Sequence, residues 1–499
     1  MQTVAALESA TRGGASIVDR QPRRSTEALA REREVGTEHS HPPGVERLNY
    51  TRGNRQEFDV SSILRLEAIR NLIQSMTRPL RVAMVHYRDA AIAGGSLRVG
   101  ETIANNLDPE HVSAEFVFAY GEPGPVADRT NLECHFIRAR GPKDFTVWAH
   151  ARDLFAKLQP DIIHFQEGVV WLRTALTRTP AKKIVHIHGR YSSFQSPDQT
   201  ARKKIRVALD ARLSRTYLKS MDAQICINHA TRNWLLDVGW ISKTKSRVIY
   251  NAIDVDRFAL LMPRQDARAR LGLPRGAPLL GMICRLVWEK GCSDFLSIIE
   301  RLPERWHGVI CGDGPLRDQL HRECEQRGIA SRIHFLGSLD DVRPVYAAID
   351  AYAFVSRYDA FGLTAAEAMA ARVPVFGIER EGDYGEPEYP LIRPNIASMV
   401  KCDRDHKVDQ AVQEIARRIA HFGEHPEIRV NSIELAHAWI ENCFSASIQA
   451  EAMTRVYHEI LGKNRSSPQS LAQFYDAQRA AAERIIDRLG ERQAVAATA

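Results

Sequence analysis

Short apolar runs recur along the chain at intervals that leave room for a helix between them. From Arg81 onward they are RVAMVH (81–86), SAEFVFAY (113–120), CHFI (134–137), DIIHF (161–165), KIVHIH (183–188), AQICI (223–227) and SRVIY (246–250). Helical patterns fall between several of them. After NAIDVDRF (251–258) and a polar connection the alternation begins again. PLLGMIC (278–284), HGVIC (307–311), RIHFL (332–336), AYAFV (351–355) and VPVFGI (373–378) are the expected strands, and helical sequence continues to about Leu461. Brief strands that are apolar throughout, alternating with helices, predict parallel sheets covered on both faces. The expected fold is therefore α/β, with two consecutive doubly wound, Rossmann-like domains. The carboxyl ends of their strands would face each other across a cleft.

The flanking segments have a different texture. Residues 1–60 are rich in Arg, Glu, Ser, Thr, Gly and Pro, with little apolar periodicity, and read as a disordered leader. A short helix and linker are expected over 61–78, the first domain over 79–253, the second over 254–440, and a helical tail over 463–499.

Composition narrows the class only a little. The chain has 499 residues, 44% of them apolar, which is ordinary for a globular protein. Eight cysteines are scattered without a CxxC pair, which suits reduced thiols better than a disulfide framework or a zinc site. No apolar run approaches the ~18 residues of a membrane span, and the N-terminus lacks a signal-like segment, so a cytoplasmic location is expected. A net charge of +7 over this length is mild; without a concentrated patch or motif it does not point to nucleic acid.

Five segments offer chemistry. SRYDAFGLTAAEAMAARVPVF (356–376) places Asp359 in a loop after a strand and Glu367 about one turn into the following helix. Amides at its Gly362 end could meet an anion while a carboxylate meets hydroxyls. A solvated helix acid and a loop acid are the plain alternative. CRLVWEKGCSDF (284–295) sets Arg285 at a strand's end and Lys290 at the start of a helix, where two cations could hold a diphosphate or simply face solvent. AAIAGGSLRVGETI (90–103) follows the first strand with Gly94 and Gly95. The pair would permit close approach to a ligand, yet there is no GxGxxG, and a glycine turn explains it nearly as well. CGDGPLRDQL (311–320) adds Gly312 in a GxG whose default meaning is a tight turn. HIHG (186–189) ends a strand with two histidines but no third metal ligand, and His188, beside Gly189, is the better candidate for a cleft wall.

The helix pattern ARKKIRVALDARLSRTYLKS (201–220) carries Ile205, Leu209, Leu213 and Tyr217 at a spacing of four, among seven cations and one acid. Such a helix can rest on anionic lipid, although packing on its own domain with a solvated basic face is commoner.

The order of these pieces resembles the retaining glycosyltransferases of family 4, which have the two-domain GT-B fold. The resemblance covers about residues 80–460 and rests on the GGS loop, HIHG, VIYNAIDVDRF (248–258), CRLVWEKG, CGDGPL and DAFGLTAAEAMAARVPV. It implies that Arg285 and Lys290 bind the donor diphosphate and that Glu367 holds the nucleotide ribose. The backbone at Phe361, Gly362 and Leu363 would meet phosphate and sugar, His188 would lie by the sugar ring, and Gly94-Gly95 would close on the phosphates and acceptor. A helix at 441–462 would cross back to the first domain. Two departures stand out. Asp359 replaces the first Glu of the E-x7-E motif and reaches one methylene less far, and EREGDYGEPEYP (379–390) replaces a glycine segment.

The resemblance implies transfer of a hexose from a UDP- or GDP-sugar to a saccharide or lipid-linked acceptor, with retention of configuration, in polysaccharide or glycoconjugate biosynthesis. Arg285, Lys290, Asp359 and His188 would serve the reaction, with no metal or other cofactor. The helix at 201–220 would allow peripheral contact with an anionic membrane, at the inner face of the cytoplasmic membrane. The alternatives are a nucleotide-sugar epimerase of the same architecture and a catalytically silent nucleotide-sugar-binding protein.

Overall fold

The computed structural model describes residues 78–90, 95–141, 144, 147–189, 201–259, 261–381, 397–403, 407–462 and 470–498. The expected leader, the helix at 61–76 and Gly94 lie outside them, as does most of the 379–390 segment.

Seven strands form the first sheet: β1 (Leu80–Arg88), β2 (Val112–Tyr120), β3 (Cys134–Phe136), β4 (Ile162–Phe165), β5 (Lys182–Ile187), β6 (Ala223–Cys226) and β7 (Ser246–Val248). Their order across the sheet is β3-β2-β1-β4-β5-β6-β7, and every pairing is parallel. Six strands form the second: β8 (Leu279–Ile283), β9 (His307–Cys311), β10 (Ile333–Gly337), β11 (Ala351–Phe354), β12 (Val375–Glu381) and β13 (Ser398–Asp403). Their order is β10-β9-β8-β11-β12-β13, again all parallel. Two Rossmann-like, doubly wound α/β units follow one another along the chain. Twelve of these strands coincide with the apolar runs; β13 does not. Its sequence, SMVKCD, alternates polar and apolar residues because it forms an edge, where only one neighbour and part of one face need covering.

Each sheet buries two apolar layers. Met84, Phe116 and Phe118 lie on one face of the first sheet, and Val85, Val117 and Phe165 on the other. Trp306, Phe295 and Ile415 cover one face of the second sheet, while Tyr346, Tyr352 and Trp439 belong to the layer on its opposite side. β8 and β11 are buried along their whole length, which explains their unbroken apolar sequence, and β4 is as fully buried although it contains His164.

After β7 the chain passes through Ile253, which makes a parallel bridge with Ser445. The Ile253 N–H donates to the Phe444 carbonyl (2.8 Å), and the Ala446 N–H donates to the Ile253 carbonyl (2.9 Å). Here the helix Pro426–Phe444 ends and the helix Ala446–Ile460 begins. The first of these packs with the second sheet through Trp439 and Phe444; the second buries Met453, Val456 and Tyr457 against the first sheet. The last helix, Leu471–Thr498, adds Phe474 to one core and Ala482 to the other.

In the helix Ala201–Lys219 the leucine stripe does not pack on its own domain. Leu209 and Leu213 are 56% and 55% exposed, whereas Tyr217 and Leu218 are buried. The apolar stripe therefore turns from core to surface partway along the helix.

Trp439 is 2% exposed and stands edge-on to Phe444 at the crossing point. Trp439→Ala should destabilise the protein by about 3–5 kcal/mol, through lost burial and the cavity left behind. Urea denaturation measures this, and a loss below about 1 kcal/mol would show that the crossing contributes little to the second core.

Candidate functional site

In a doubly wound sheet the loops on either side of the point where strand order reverses leave a crevice at the carboxyl ends of the strands. That point lies between β1 and β4 in the first sheet and between β8 and β11 in the second. Residues after these four strands, together with the end of β5, line one cleft of about 630 Å³, within the size range of small-ligand sites. From the first sheet come Gly95, Ser96, Gln166, Glu167, His186 and His188; from the second come Arg285, Lys290, Asp359, Phe361 and Leu363.

The second-sheet wall is two stitched loops. The loop after β8 carries Arg285, a single turn over Trp288–Lys290, and Gly291 at φ +69°. A Cβ at Gly291 would stand 2.2 Å from the Val355 carbonyl oxygen, so glycine allows this loop to lie against the end of β11. The Arg357 N–H donates to the Glu289 carbonyl (2.7 Å), and the Arg357 guanidinium lies over the Trp288 ring. Lys290 Nζ pairs with Asp359 Oδ2 at 2.6 Å. The other oxygen of Asp359 accepts from the N–H groups of Phe361 (3.2 Å) and Gly362 (2.8 Å). Gly362, at φ +87°, then opens the helix Leu363–Ala370. Asp359 thus occupies two of the amides expected to meet a ligand, at Phe361 and Gly362, and it engages Lys290. Arg285 is exposed, and its guanidinium makes no hydrogen bond or ion pair among the described residues.

Glu367 lies one turn behind this wall. It is 7% exposed, accepts a hydrogen bond from the Tyr346 hydroxyl (2.8 Å), and lines a neighbouring cavity of about 70 Å³ with Arg98 and Arg257. Burial raises its carboxyl pKa, and the two arginines and Tyr346 oppose the rise. Leu363 lines both spaces, so Glu367 adjoins the cleft without standing in its wall. Gly312 does not line the cleft either. At φ +134°, its position would bring a Cβ to 1.8 Å from the Cys284 carbonyl oxygen. Beside it, the Leu286 N–H donates to the Asp313 carbonyl (2.9 Å). The CGDGPL turn supports the loop that carries Arg285 from behind.

The first-sheet wall is more polar than the sequence suggested. Glu167 accepts from the Ser96 hydroxyl (2.6 Å) and the Tyr87 N–H (2.8 Å), which ties the end of β4 to the start of the helix Gly95–Asn105. His188 Nε2 lies 3.0 Å from Gln166 Oε1. Asn228 caps the helix His229–Asp237 through the Thr231 N–H and donates across the cleft to the Ala360 carbonyl. Gly95 and Gly189 also approach the opposite wall, near Leu363 and Ala360 respectively. Gln166, Glu167 and Asn228 had no motif to mark them, and Ser96 was passed over within the GGS loop. Their signal is position alone, immediately after a buried strand next to the reversal of strand order or at a helix start.

Residues 93–257 match the family described as Glycosyltransferase Family 4, and residues 263–386 match Glycosyl transferases group 1; together these exceed half of the chain. The chain belongs to the family 4, group 1 glycosyltransferases, and its fold is GT-B. Among curated proteins it is 27% identical over 246 residues to a lipopolysaccharide core biosynthesis glycosyltransferase, LpsE, of Rhizobium meliloti (strain 1021), which covers 49% of this chain and 66% of that one. It is 29% identical over 257 residues to a lipopolysaccharide core biosynthesis mannosyltransferase, LpcC, of Rhizobium leguminosarum bv. viciae, covering 50% and 68%. The matched segment thus spans about two-thirds of these relatives' lengths. Among solved structures, Anabaena HepE in complex with UDP and glucose superposes with a TM-score of 0.61 at 17% identity, over 76% of this chain and 100% of that one. WaaG, a glycosyltransferase involved in lipopolysaccharide biosynthesis, gives 0.57 at 14%, over 75% and 99%.

Behind the first-sheet wall, burial holds His86 and His164 neutral, with pKa values pushed down to about 3. The unfolded chain takes up protons at these rings below pH 6.5, while the folded chain does not until near pH 3. Their contribution to stability is therefore complete above about pH 7 and declines as the pH falls from 6.5. At pH 5 the loss is about 2 kcal/mol for each ring. The melting midpoint at pH 5 should lie at least about 5 °C below that at pH 8; a flat profile across this interval would contradict the burial of neutral imidazoles.

Proposed function

We propose that the protein is a retaining glycosyltransferase that moves a hexose from a UDP- or GDP-sugar to a saccharide or lipid-linked acceptor in lipopolysaccharide core or related glycoconjugate assembly. The observation that carries this reading is the pairing of an unengaged cation, Arg285, with the amide end of the helix Leu363–Ala370 at the carboxyl ends of β8 and β11. Both favour an anion, and together they suit the diphosphate of a sugar nucleotide. The UDP seen in HepE and the names of the curated relatives support the donor class and the pathway class.

In the proposed reaction the bond between the sugar's C1 and the diphosphate oxygen breaks, and C1 gains a bond to the acceptor oxygen on the same face. The acceptor's proton passes to the departing phosphate oxygen. Negative charge grows on the diphosphate as the bond lengthens, and Arg285 stabilises it more in the transition state than in the ground state. Lys290, held by Asp359, adds a second fixed cation. Glu367 takes the ribose hydroxyls from the adjoining cavity, and His188 stands opposite, beside the sugar. Leaving-group stabilisation is assigned to these side chains rather than to a metal.

Arg285→Ala should lower the transfer rate by ~100- to 1,000-fold while leaving the melting temperature unchanged. UDP or GDP should raise the melting temperature of the unaltered protein by mass action, and by less in the variant. Undiminished transfer in Arg285→Ala would overturn the assignment. Conversion of donor without acceptor would make the protein an epimerase, and binding without turnover a silent receptor. Retention is read from the anomeric proton coupling of the product, and transfer should persist in excess EDTA.

We further propose that the helix Ala201–Lys219 brings the enzyme to an anionic membrane, where a lipid-linked acceptor resides. The exposed Leu209 and Leu213 are flanked by exposed Arg212, Arg215 and Lys219, which matches an apolar tip with a charged rim. No helix among the described residues is long and apolar enough to cross a membrane, so contact would be peripheral. Leu209→Asp with Leu213→Asp should weaken co-sedimentation with phosphatidylserine-containing vesicles by roughly tenfold or more. Equal sedimentation of both proteins would remove this surface from consideration.

A further inference from the structure

Two of the eight cysteines bracket the loop that carries the cleft's cations. Cys284 directly follows β8 and Cys292 opens the helix Cys292–Arg301, so Arg285 and Lys290 both lie between them. Their sulfurs are 3.9 Å apart. The loop is anchored at each end. The Cys284 N–H donates to the Cys311 carbonyl (3.0 Å), and Gly291 lies so close to the Val355 carbonyl that a Cβ has no room. In the middle, the Leu286 carbonyl accepts from the Leu316 N–H (3.1 Å).

The two thiols differ in access. Cys284 is partly buried and lines the cleft, whereas Cys292 is 1% exposed and belongs to the core beneath it. A small oxidant entering the cleft therefore meets Cys284 first, with Cys292 in contact behind it. Either sulfur can donate to the other, so the proton left on one stabilises a thiolate on its neighbour. That hydrogen bond holds the first thiol to ionise below the ordinary thiol range and its partner above it. At Cys292, burial and Asp294 oppose the anion, while the amide at the helix start and Lys290 favour it.

We propose that Cys284 and Cys292 form a reversible redox site: a peroxide joins them in a disulfide, and the closure moves Arg285 away from the anion position of the cleft. The Cys284 thiolate attacks one oxygen of hydrogen peroxide, the O–O bond breaks, and the sulfur becomes a sulfenic acid. The Cys292 thiolate then attacks that sulfur and its S–O bond breaks. Each departing hydroxide takes up the proton that its attacking thiol had lost. Two thiols and one peroxide thus give one disulfide and two waters. Bringing the sulfurs to the ~2.05 Å of a disulfide requires a movement of about 2 Å. Cys292 is fixed in the core and Gly291 against Val355, so the movement falls on Cys284 and on Arg285 beside it. A thiol reductant reverses the bond by exchange. The effect on ligand binding rests on the reading of the cleft as a sugar-nucleotide site; the disulfide itself does not.

The test treats the full chain with hydrogen peroxide, blocks the remaining thiols with iodoacetamide and digests with trypsin. Residues 276–285 and 291–301 should be recovered as one linked species that dithiothreitol separates. Transfer by the oxidised protein should fall about 10- to 100-fold, as a misplacement of about 1 Å can cause at a reacting centre. The rise in melting temperature given by UDP or GDP should shrink with it, and dithiothreitol should restore both. Cys292→Ala should show no linked species and should keep its activity in peroxide. If that variant does not fold, Cys284→Ser, compared with its own untreated form, should resist peroxide in the same way. No linked species, or a link from Cys284 to Cys311, would overturn the proposal. So would a linked protein that binds UDP or GDP as well as the reduced form does. Linked peptides in a protein whose reduced form responds to neither nucleotide would defeat the proposed donor site and leave the redox site standing.

Discussion

Two backbone hydrogen bonds at Ile253 govern the geometry on which the cleft depends. The chain leaves the first sheet there and, nearly two hundred residues later, returns past the same point at Ser445. Both passages are pinned to one another. Gln449 adds a side-chain bond to the Tyr250 carbonyl at the same place (2.9 Å). The carboxyl ends of β1, β4, β8 and β11 bring polar loops face to face across the cleft.

Within that frame the two walls differ in electrostatic character. The second-sheet wall carries the cations Arg285 and Lys290 and the acids Glu289 and Asp359, of which Asp359 already satisfies Lys290 and two backbone amides. The first-sheet wall carries almost no charge of its own. Its imidazoles are neutral, stacked and deeply buried, and its one carboxylate, Glu167, is occupied by Ser96 and Tyr87. Under the proposed function, the diphosphate of a sugar nucleotide would lie by Arg285 on the second-sheet wall and the uncharged sugar by the first-sheet wall.

Burial of Glu367 is compatible with the ribose-binding role proposed for it. A carboxylate held by Tyr346 and two arginines costs less to bury than an isolated one. Its small cavity joins the cleft through Leu363, and removing the acid would leave Arg98 and Arg257 facing each other. The same residue can stabilise the packing of the helix Leu363–Ala370 and present a lone pair at the edge of the ligand space.

Sequence alone determined the strand positions, their parallel arrangement and the place of Arg285 and Lys290. Each of these follows from neighbours a few residues apart: an apolar run, a loop, a helix start. It placed Asp359 and Glu367 on the right loop and helix but could not tell that one is engaged by Lys290 and the other lies behind the wall. It missed β13, whose edge position allows a polar alternation that a buried strand would not tolerate. It read the GxG at Gly312 as a tight turn by default, and the fold uses that glycine to pass the Cys284 carbonyl. Only the tertiary structure could join Lys290 to Asp359, 69 residues apart, or His164 to Tyr457, 293 apart. Such contacts are made by single side chains from distant segments, and hydrogen bonds of that kind leave no period in the chain from which they could be read.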